Sequence, residues 1–179
     1  LVLDGTPQVT AKDGFIYNEM IAHIALTTHK KPANVAMIGG GDCGPAREAV
    51  KYDDVRNVTV VEIDRRVDEI CRTWMAGEPR QRPRDPRIQL VYRDGYEWLR
   101  EETNAYDVLL IDRSDPYGPA ISLYKKAFYR LVHSRLSDEG IAVFQSGSPF
   151  YGASTLRHTI NCLKELFPVV RTYLCAIPS

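Results

Sequence analysis

The sequence has 179 residues, of which 23 are basic (Lys and Arg) and 23 are acidic (Asp and Glu), so the formal net charge is zero. A balanced charge gives no reason to expect nucleic acid or an anionic membrane as a partner. Hydrophobic residues make up 44% of the chain. No apolar run approaches the roughly 20 residues that a membrane-spanning helix needs, so we expect a soluble domain with a sizeable core.

Apolar periodicity divides the chain into alternating strands and helices. Residues 1–4 resemble the end of a strand, and residues 14–29 have the spacing of an amphipathic helix. Further strands are predicted at 34–38, 58–63, 87–92, 106–112, 140–145 and 169–177. Helices are predicted between them at 45–52, 64–75, 94–102, 122–136 and 153–167. This alternation predicts a Rossmann-like, doubly wound parallel sheet with helices on both faces.

Composition also bears on location and ligands. The four cysteines are scattered without a CxxC pair, so we expect a cytoplasmic protein with neither a metal site nor disulfides. The basic, proline-rich segment 80–87 is predicted to be a solvated loop, since a nucleic-acid site would need aromatic residues or a second basic stretch. No secretory signal is recognisable, and the abrupt start at Leu1 leads us to expect further chain upstream.

A glycine loop follows the strand predicted at 34–38 and opens the next helix. In GGGDCG, at 39–44, the residues Gly39, Gly41 and Gly44 satisfy G-x-G-x-x-G. The motif alone is equally compatible with a tight turn that has no ligand. Acidic residues end the next three predicted strands: Glu62, Asp94 and Asp112. Ligands of open α/β sheets lie across the carboxyl ends of the strands, so this set predicts an adenosine site.

The alternative for these acids is that each caps the helix that follows it. That alternative fits Asp94 well, and it fits Asp64 better than Glu62. No phosphate-binding lysine follows the glycine loop, which excludes a P-loop, and the loop carries Asp42 instead. A carboxylate there would repel a pyrophosphate and attract a cation, which argues against NAD. An adenosyl sulfonium compound whose side chain ends in an amine would suit Asp42.

The motif DRSDP, at 112–116, places two carboxylates beyond the end of the strand predicted at 106–112. Asp112 would lie beside the sulfonium, and Pro116 restricts the backbone of Asp115. Two carboxylates can hold an ammonium group and accept its proton when the amine becomes a nucleophile. The alternative for Asp115 alone is an ordinary Asp-Pro turn.

Seven segments of the sequence resemble one family, the polyamine aminopropyltransferases, which include spermidine synthase. The segments are 3–23, 37–52, 61–67, 85–95, 106–124, 128–132 and 145–150. The resemblance implies a methyltransferase-type sheet, with its first five strands in the order 3-2-1-4-5 and the sixth antiparallel at an edge. It also implies a homodimer or homotetramer that binds neither nucleic acid nor membranes.

The implied reaction moves the aminopropyl group of decarboxylated S-adenosylmethionine to a diamine. Putrescine is the expected acceptor, which would give spermidine and methylthioadenosine, while cadaverine, agmatine and spermidine remain open as acceptors. By position, Asp112 is the proton acceptor. The implied amine-binding residues are Tyr17, Asn18, Asp42, Asp112, Arg113, Ser114 and Asp115. The implied nucleoside-binding residues are Gly39, Gly41, Asp42, Glu62, Asp94, Gly95 and Pro119.

Four residues depart from the family pattern. Cys43 replaces a glycine of the loop, so we expect this position to have an ordinary, negative φ. Gly14 replaces a glutamate, and Asn18 replaces a histidine or glutamine. Arg113 stands where a small Ser or Thr is usual, and strand alternation predicts that it points away from Asp112.

The ends of the chain also depart from the family. Residues 1–12 are expected to be the remnant of an N-terminal β-domain, and residues 13–179 a Rossmann-like catalytic domain that is incomplete at its C-terminus. A nucleoside-binding glutamine and a substrate-lining tyrosine of the family are absent from the sequence. Two other functions stay open: an S-adenosylmethionine-dependent methyltransferase of the same fold, or a non-catalytic binding domain.

Overall fold

A short antiparallel hairpin begins the chain, formed by β1 (Val2–Leu3) and β2 (Thr6–Pro7). The computed structural model describes residues 1–3, 5–75 and 85–177. The hairpin agrees with the strand predicted near the N-terminus. The assignment of residues 1–12 to a separate β-domain stays a prediction.

Five parallel strands form the central sheet. They are β3 (Asn34–Gly39), β4 (Asn57–Glu62), β5 (Ile88–Tyr92), β6 (Tyr106–Asp112) and β7 (Leu136–Phe144). Their spatial order is β5-β4-β3-β6-β7, which confirms the predicted order 3-2-1-4-5. The strand β7 begins four residues earlier than predicted, and its pairing with β6 is irregular between Tyr106 and Val108.

Six α-helices and one 3₁₀ helix connect the strands in the described part of the chain. The α-helices are α1 (Gly14–Thr28), α2 (Gly44–Ala49), α3 (Arg65–Trp74), α4 (Gly95–Glu101), α5 (Lys126–Ser134) and α6 (Ala153–Lys164). The helix predicted at 122–136 is in fact two elements, because a 3₁₀ helix (Gly118–Tyr124) precedes α5. Lys125 separates the two with an extended backbone (φ −78°, ψ 146°).

The prediction of a sixth, antiparallel strand at 169–177 is wrong, because the structure gives these residues no strand. They contact α1 instead. The Tyr173 hydroxyl donates to the Met20 carbonyl at 3.1 Å, and the Cys175 thiol lies 3.9 Å from the Ile16 carbonyl oxygen. Apolar and β-branched residues favour a strand, but a strand forms only where a neighbour supplies backbone partners.

The two faces of the sheet are covered by different helices, so the central strands are buried on both sides. Val35 and Met37 of β3 pack in one hydrophobic cluster with residues of α1 and α2. Ala36 and Ile38 of the same strand pack in a second cluster with residues of α4 and α5. This alternation follows the two-residue period of a strand. Because helices cover both faces, a ligand can approach the sheet at the carboxyl ends of the strands.

Two further predictions concern the chain outside the core. Residues 80–84 of the predicted basic loop lie outside the described residues, while Asp85 and Arg87 beyond them form an ion pair at 2.9 Å. Within the described ranges, every helix is too short or too polar to cross a bilayer.

Candidate active site

The carboxyl ends of three neighbouring strands bring the predicted acids and the glycine loop together. Gly39, the last residue of β3, is paired with Asp112, the last residue of β6. Glu62 ends β4, which lies on the other side of β3. The sheet therefore joins Asp112, the loop and Glu62, although 50 residues of sequence separate the two acids.

The glycine loop packs directly against these two acids. Gly39 has a φ of +87°, and a Cβ atom there would lie 1.9 Å from the backbone oxygen of Asp112. A Cβ atom on Gly41 would lie 2.7 Å from Cγ of Glu62. The Gly41 amide donates to Glu62 Oε2 at 3.0 Å, and the Asp64 amide donates to Oε1 at 2.9 Å. Glycine is needed at both loop positions because any side chain would collide with the site.

Cys43 corrects one expectation. Its φ is +56° and its ψ is 22°, so this residue is in the left-handed region and not at the ordinary φ that we predicted. Its amide donates to the Gly40 carbonyl at 2.8 Å, which closes the turn before α2 and fixes the backbone there. A non-glycine residue in this conformation costs about 1–2 kcal/mol. Burial of the side chain, which is only 4% exposed, offsets part of that cost.

The first turns of α1 supply two more predicted residues. The Tyr17 hydroxyl donates a hydrogen bond to Asp112 Oδ1, which links α1 to the end of β6. The Asn18 carboxamide lies flat against Gly44, since a Cβ atom on Gly44 would be 2.4 Å from its nitrogen and oxygen. Tyr17 is thus beside the predicted base, and Asn18 contacts the beginning of α2.

Burial shifts the pKa of each carboxylate in this cluster upward. Burial raises the pKa of Asp112 to about 7; the hydrogen bond from Tyr17 opposes the rise, and the charges of Asp42 and Glu62 add to it. Burial also raises the pKa of Asp42 and of Glu62, against the backbone amides that donate to them. Burial and the Asp112 charge raise the pKa of Tyr17. A bound cation would stabilise all three carboxylates in their charged forms.

Asp94 and Gly95 have clear structural roles at the start of α4. Asp94 caps the helix, with its Oδ1 accepting from the Glu97 amide at 2.9 Å, so the capping alternative describes it correctly. Asp64 caps α3 in the same way. A Cβ atom on Gly95 would lie 2.3 Å from Ile38 of β3, so only glycine allows this approach of helix and strand.

The residues of DRSDP point in different directions. Arg113 is buried, and its guanidinium contacts the Gln145 carbonyl rather than Asp112, which confirms that it points away from the base. Any contribution of Arg113 to substrate binding would therefore come from its backbone. Ser114 and Asp115 are exposed, and Pro119 is exposed on the 3₁₀ helix that follows.

Gln145 is a candidate that sequence reasoning missed. It follows the last residue of β7, and its amide donates to the Ile111 carbonyl at 2.9 Å, so it lies beside the end of β6. Its side-chain Oε1 is buried and has no hydrogen-bond partner among the described residues. Such an orphaned acceptor calls for an explanation, and a ligand is one. The rule that identified the acidic residues, namely that side chains at the carboxyl ends of strands face the ligand, would also have identified Gln145.

No group of three or more His, Cys, Asp and Glu residues suited to a metal ion occurs within the described ranges. The prediction that the protein uses no metal stays a prediction.

This sheet order, with a glycine loop at its open edge, is typical of the class of Rossmann-like proteins, whose ligands lie at the carboxyl ends of the strands. Residues 14–179 match the model of the spermine/spermidine synthase domain, and the chain belongs to that family. It is 42% identical over 179 residues to a polyamine aminopropyltransferase of Moorella thermoacetica and covers 63% of that relative. A polyamine aminopropyltransferase of Caldicellulosiruptor bescii is 40% identical and is covered to 64%. The chain thus spans less than two thirds of these relatives.

Two solved structures are similar to the whole described fold. A spermidine synthase in complex with the transition state analogue AdoDATO has a TM-score of 0.86 and 33% identity, covering 94% of this chain and 57% of that one. Spermidine synthase from Thermotoga maritima has a TM-score of 0.81 and 32% identity, covering 94% of this chain and 55% of that one.

Proposed function

We propose that the chain is the catalytic domain of a polyamine aminopropyltransferase. The enzyme would transfer the aminopropyl group of decarboxylated S-adenosylmethionine to a diamine, with putrescine as the expected acceptor and spermidine and methylthioadenosine as products. One observation carries the proposal: Asp112, whose pKa is raised to about 7, accepts a hydrogen bond from Tyr17 at the carboxyl end of β6. A base with a pKa near the working pH combines the right protonation state with enough driving force.

The acids around Asp112 suit positively charged substrates. Asp42 and Glu62 raise the pKa of Asp112 through their charges, and burial raises the pKa of all three. The cationic neighbour among the causes for Asp42 is Arg47, whose charge lowers that pKa. A bound sulfonium and a bound protonated amine would offset the repulsion among the carboxylates. Relief of this repulsion would favour binding of both substrates.

The proposed step needs one base and one good leaving group. The acceptor binds as an ammonium and passes one proton to Asp112, which gives a neutral amine. The nitrogen lone pair then attacks the aminopropyl carbon attached to sulfur, and the C–S bond breaks with its electron pair moving to sulfur. The sulfonium becomes a neutral thioether, the product leaves as a secondary ammonium, and Asp112 returns its proton to solvent before the next turnover. The sulfonium is already a good leaving group, so the proposed step requires no metal.

The glycine loop and Glu62 support a nucleoside beside the base. Each oxygen of Glu62 accepts one backbone amide, from Gly41 and Asp64, which fixes the carboxylate and leaves a second lone pair on each oxygen for ribose hydroxyls. Asp94 accepts its helix-capping bond through Oδ1, so Oδ2 could face the adenine. Pro119 is proposed to contact the nucleoside from the exposed 3₁₀ helix.

The amine is proposed to lie on the other side of Asp112. Tyr17 approaches from α1, and Asp42 lies on the loop that opens α2. Asp115 is exposed three residues beyond the base and can hold the distal ammonium. An S-adenosylmethionine-dependent methyltransferase is the second candidate, because fold alone does not set the reaction. Asp42 disfavours it, since the carboxylate of intact S-adenosylmethionine would be repelled there.

The deciding experiment is a transfer assay on the full-length polypeptide. Decarboxylated S-adenosylmethionine is supplied with putrescine, cadaverine, agmatine or spermidine, and products are identified by mass spectrometry. We expect methylthioadenosine and the aminopropylated amine in equal amounts. Calorimetry compares the decarboxylated cofactor with the intact one. Tighter binding of the intact cofactor, or methyl transfer to an acceptor, would support the methyltransferase; binding with no transfer to any amine would support a non-catalytic domain.

Assembly and location are proposed from the family alone. We expect a cytoplasmic homodimer or homotetramer, with the proposed N-terminal β-domain contributing to assembly, and no role for nucleic acid or membranes. Sedimentation of the full-length polypeptide and of residues 13–179 would compare the two. A tight dimer formed by residues 13–179 alone would contradict the contribution of the N-terminal part.

A further inference from the structure

Arg113 follows the proposed base directly, yet its side chain is buried on the far side of β6. Only 3% of the residue is exposed, which is rare for a charged side chain. A small residue would suit the strand end equally well, and the family pattern noted above has Ser or Thr there. The burial of a guanidinium at this position therefore calls for a function.

The guanidinium joins three elements. Its Nε donates to the Gln145 carbonyl at 3.2 Å, after β7. Its Nη1 donates to the Leu123 carbonyl in the 3₁₀ helix, and its Nη2 donates to Thr159 Oγ1 of α6 at 3.3 Å. The planar guanidinium can donate to three neutral acceptors that lie in three directions. The compact ammonium of a lysine could not reach all three.

The contact with Tyr124 closes a loop around residues 114–124. The Arg113 Cζ atom lies 3.7 Å from the centre of the Tyr124 ring, which is a close cation–π stack. The Tyr124 hydroxyl in turn donates to the Ser114 carbonyl at 2.9 Å. Arg113 thus contacts the end of the segment at Leu123 and Tyr124. Tyr124 in turn hydrogen-bonds to Ser114, at the beginning of the segment.

The exposed beginning of this segment has few other restraints, whereas its end is also held at the Tyr124 carbonyl oxygen, which lies 3.1 Å from His158 Nε2 of α6. Ser114, Asp115, Tyr117, Gly118 and Pro119 are exposed. Its backbone bonds are short-range, from the Tyr117 amide to the Asp115 carbonyl at 2.7 Å and from the Ala120 amide to the Tyr117 carbonyl at 3.1 Å. A segment of this kind opens easily unless side chains hold it.

We propose that Arg113 is a positioning residue that clamps segment 114–124, and with it Asp115, against β7 and α6, and so sets the affinity for the amine. The clamp itself is a property of the fold. The effect on amine affinity rests on the function proposed above. Arg113 acts through the segment and touches no substrate with its guanidinium.

Hydrogen exchange tests the clamp without any assay of activity. Arg113→Met keeps a long side chain without donors, and Arg113→Lys keeps the charge without the fork. In both variants we expect the amides of Ala120 and Lys125 to exchange about tenfold faster or more, with amides of β3 unchanged, because only the segment is released. Leu163→Ala is the matched control: it truncates a residue of the small core beside Tyr129 and removes none of the hydrogen-bond acceptors of Arg113.

Three exchange results would overturn the clamp. Unchanged exchange at Ala120 and Lys125 in Arg113→Met would show that the segment does not depend on Arg113. A uniform increase that includes β3 would show a general loss of stability. Local release in Leu163→Ala, equal to that in Arg113→Met, would show that any damage to this core frees the segment.

Kinetics on the full-length polypeptide test the consequence. We expect Arg113→Met to raise KM for the amine about tenfold, with smaller changes in kcat and in the Kd for methylthioadenosine, since Pro119 is the one proposed nucleoside contact in the released segment. Released exchange with an unaltered amine KM would refute the link to affinity. If the wild-type protein transfers no aminopropyl group, the proposed function fails, while the exchange experiment still decides whether Arg113 is a clamp.

Discussion

The strand β6 carries a carboxylate near each end, and the two have opposite environments. Near its beginning, Asp107 Oδ2 accepts from the Ala33 and Asn34 amides at 2.9 Å each, and its Oδ1 accepts from Ser137 Oγ at 3.0 Å. Burial raises the pKa of Asp107, but these donors outweigh it and the net shift is downward. At the other end, Asp112 accepts from Tyr17, and burial raises its pKa to about 7.

The difference distinguishes a carboxylate that stabilises the fold from the one that we propose as the base. Both are aspartates of one strand, five residues apart. The fold supplies Asp107 with donors from neighbouring strands, so its charge is stabilised before any ligand arrives. Burial and the charges of Asp42 and Glu62 disfavour the charged form of Asp112 despite the hydrogen bond from Tyr17, so a bound cation would stabilise that form. Carboxylates with strongly shifted pKa values cluster at functional sites. Variants at the two ends of β6 therefore test whether the raised pKa of Asp112 reflects a functional role.

The largest expected effect is on the rate of transfer. Asp112→Asn should lower kcat by about 10²–10⁴, because an amide keeps the shape but cannot accept the proton. Binding of methylthioadenosine should persist. Asp107→Asn is the matched control at the other end of the strand and should leave kcat unchanged. Steady-state kinetics and calorimetry on the full-length polypeptide provide the comparison. Retention of more than about a tenth of the rate in Asp112→Asn would contradict the role as base.

Asp112→Asn should also be more stable than the wild-type protein at alkaline pH. Folded Asp112 keeps its proton up to about pH 7, whereas the unfolded residue loses it near pH 4, so the free energy of unfolding falls as pH rises between these values. Asn carries no such penalty. At pH above about 7 we expect Asp112→Asn to be more stable than wild type by on the order of 2 kcal/mol, allowing for partial solvent screening.

Urea unfolding at several pH values measures this gain. The advantage of the variant should shrink steadily as pH falls towards about 4, because below that pH wild-type Asp112 is protonated in both the folded and the unfolded state. An advantage that is the same at all pH values would have a different origin from the titration of Asp112.

Asp115 extends the comparison to an exposed carboxylate. Asp115→Asn should raise KM for the amine about tenfold, the equivalent of about 1.4 kcal/mol, and lower kcat less, because the residue holds a cation and does not take the proton. Amine titrations of the initial rate separate the two constants. A fall in kcat with unchanged KM would assign Asp115 to the chemical step.

The smallest effect is expected for Asp107→Asn on stability at neutral pH. The downward shift of the Asp107 pKa means that its charged form stabilises the fold; this contribution is present above the unfolded pKa and is lost as pH falls through the folded pKa. Loss of the charge should lower the free energy of unfolding by about 1 kcal/mol, as weaker neutral hydrogen bonds replace charge-assisted ones. Urea unfolding near neutral pH measures it, and a variant more stable than wild type would contradict the assignment.

The sequence by itself determined the parallel sheet and most of the acidic residues at the carboxyl ends of its strands. Short apolar strands alternating with helices require a doubly covered parallel sheet, since that arrangement alone buries both faces of each strand. Glu62 and Asp112 could be placed at one edge because every parallel strand ends on the same side. A side chain's position along a strand is a local property, which periodicity reports directly.

Tertiary structure alone decided the features that depend on distant partners. The bond from Tyr17 to Asp112 joins residues 95 apart in sequence, and no local pattern encodes it. The positive φ of Cys43 follows from the turn that the loop makes around the site, and segment 169–177 contacts α1 through Tyr173 instead of pairing with a strand. The opposite pKa shifts of Asp107 and Asp112 follow likewise from which donors the fold brings near each carboxylate, since hydrogen bonds and charges act through space.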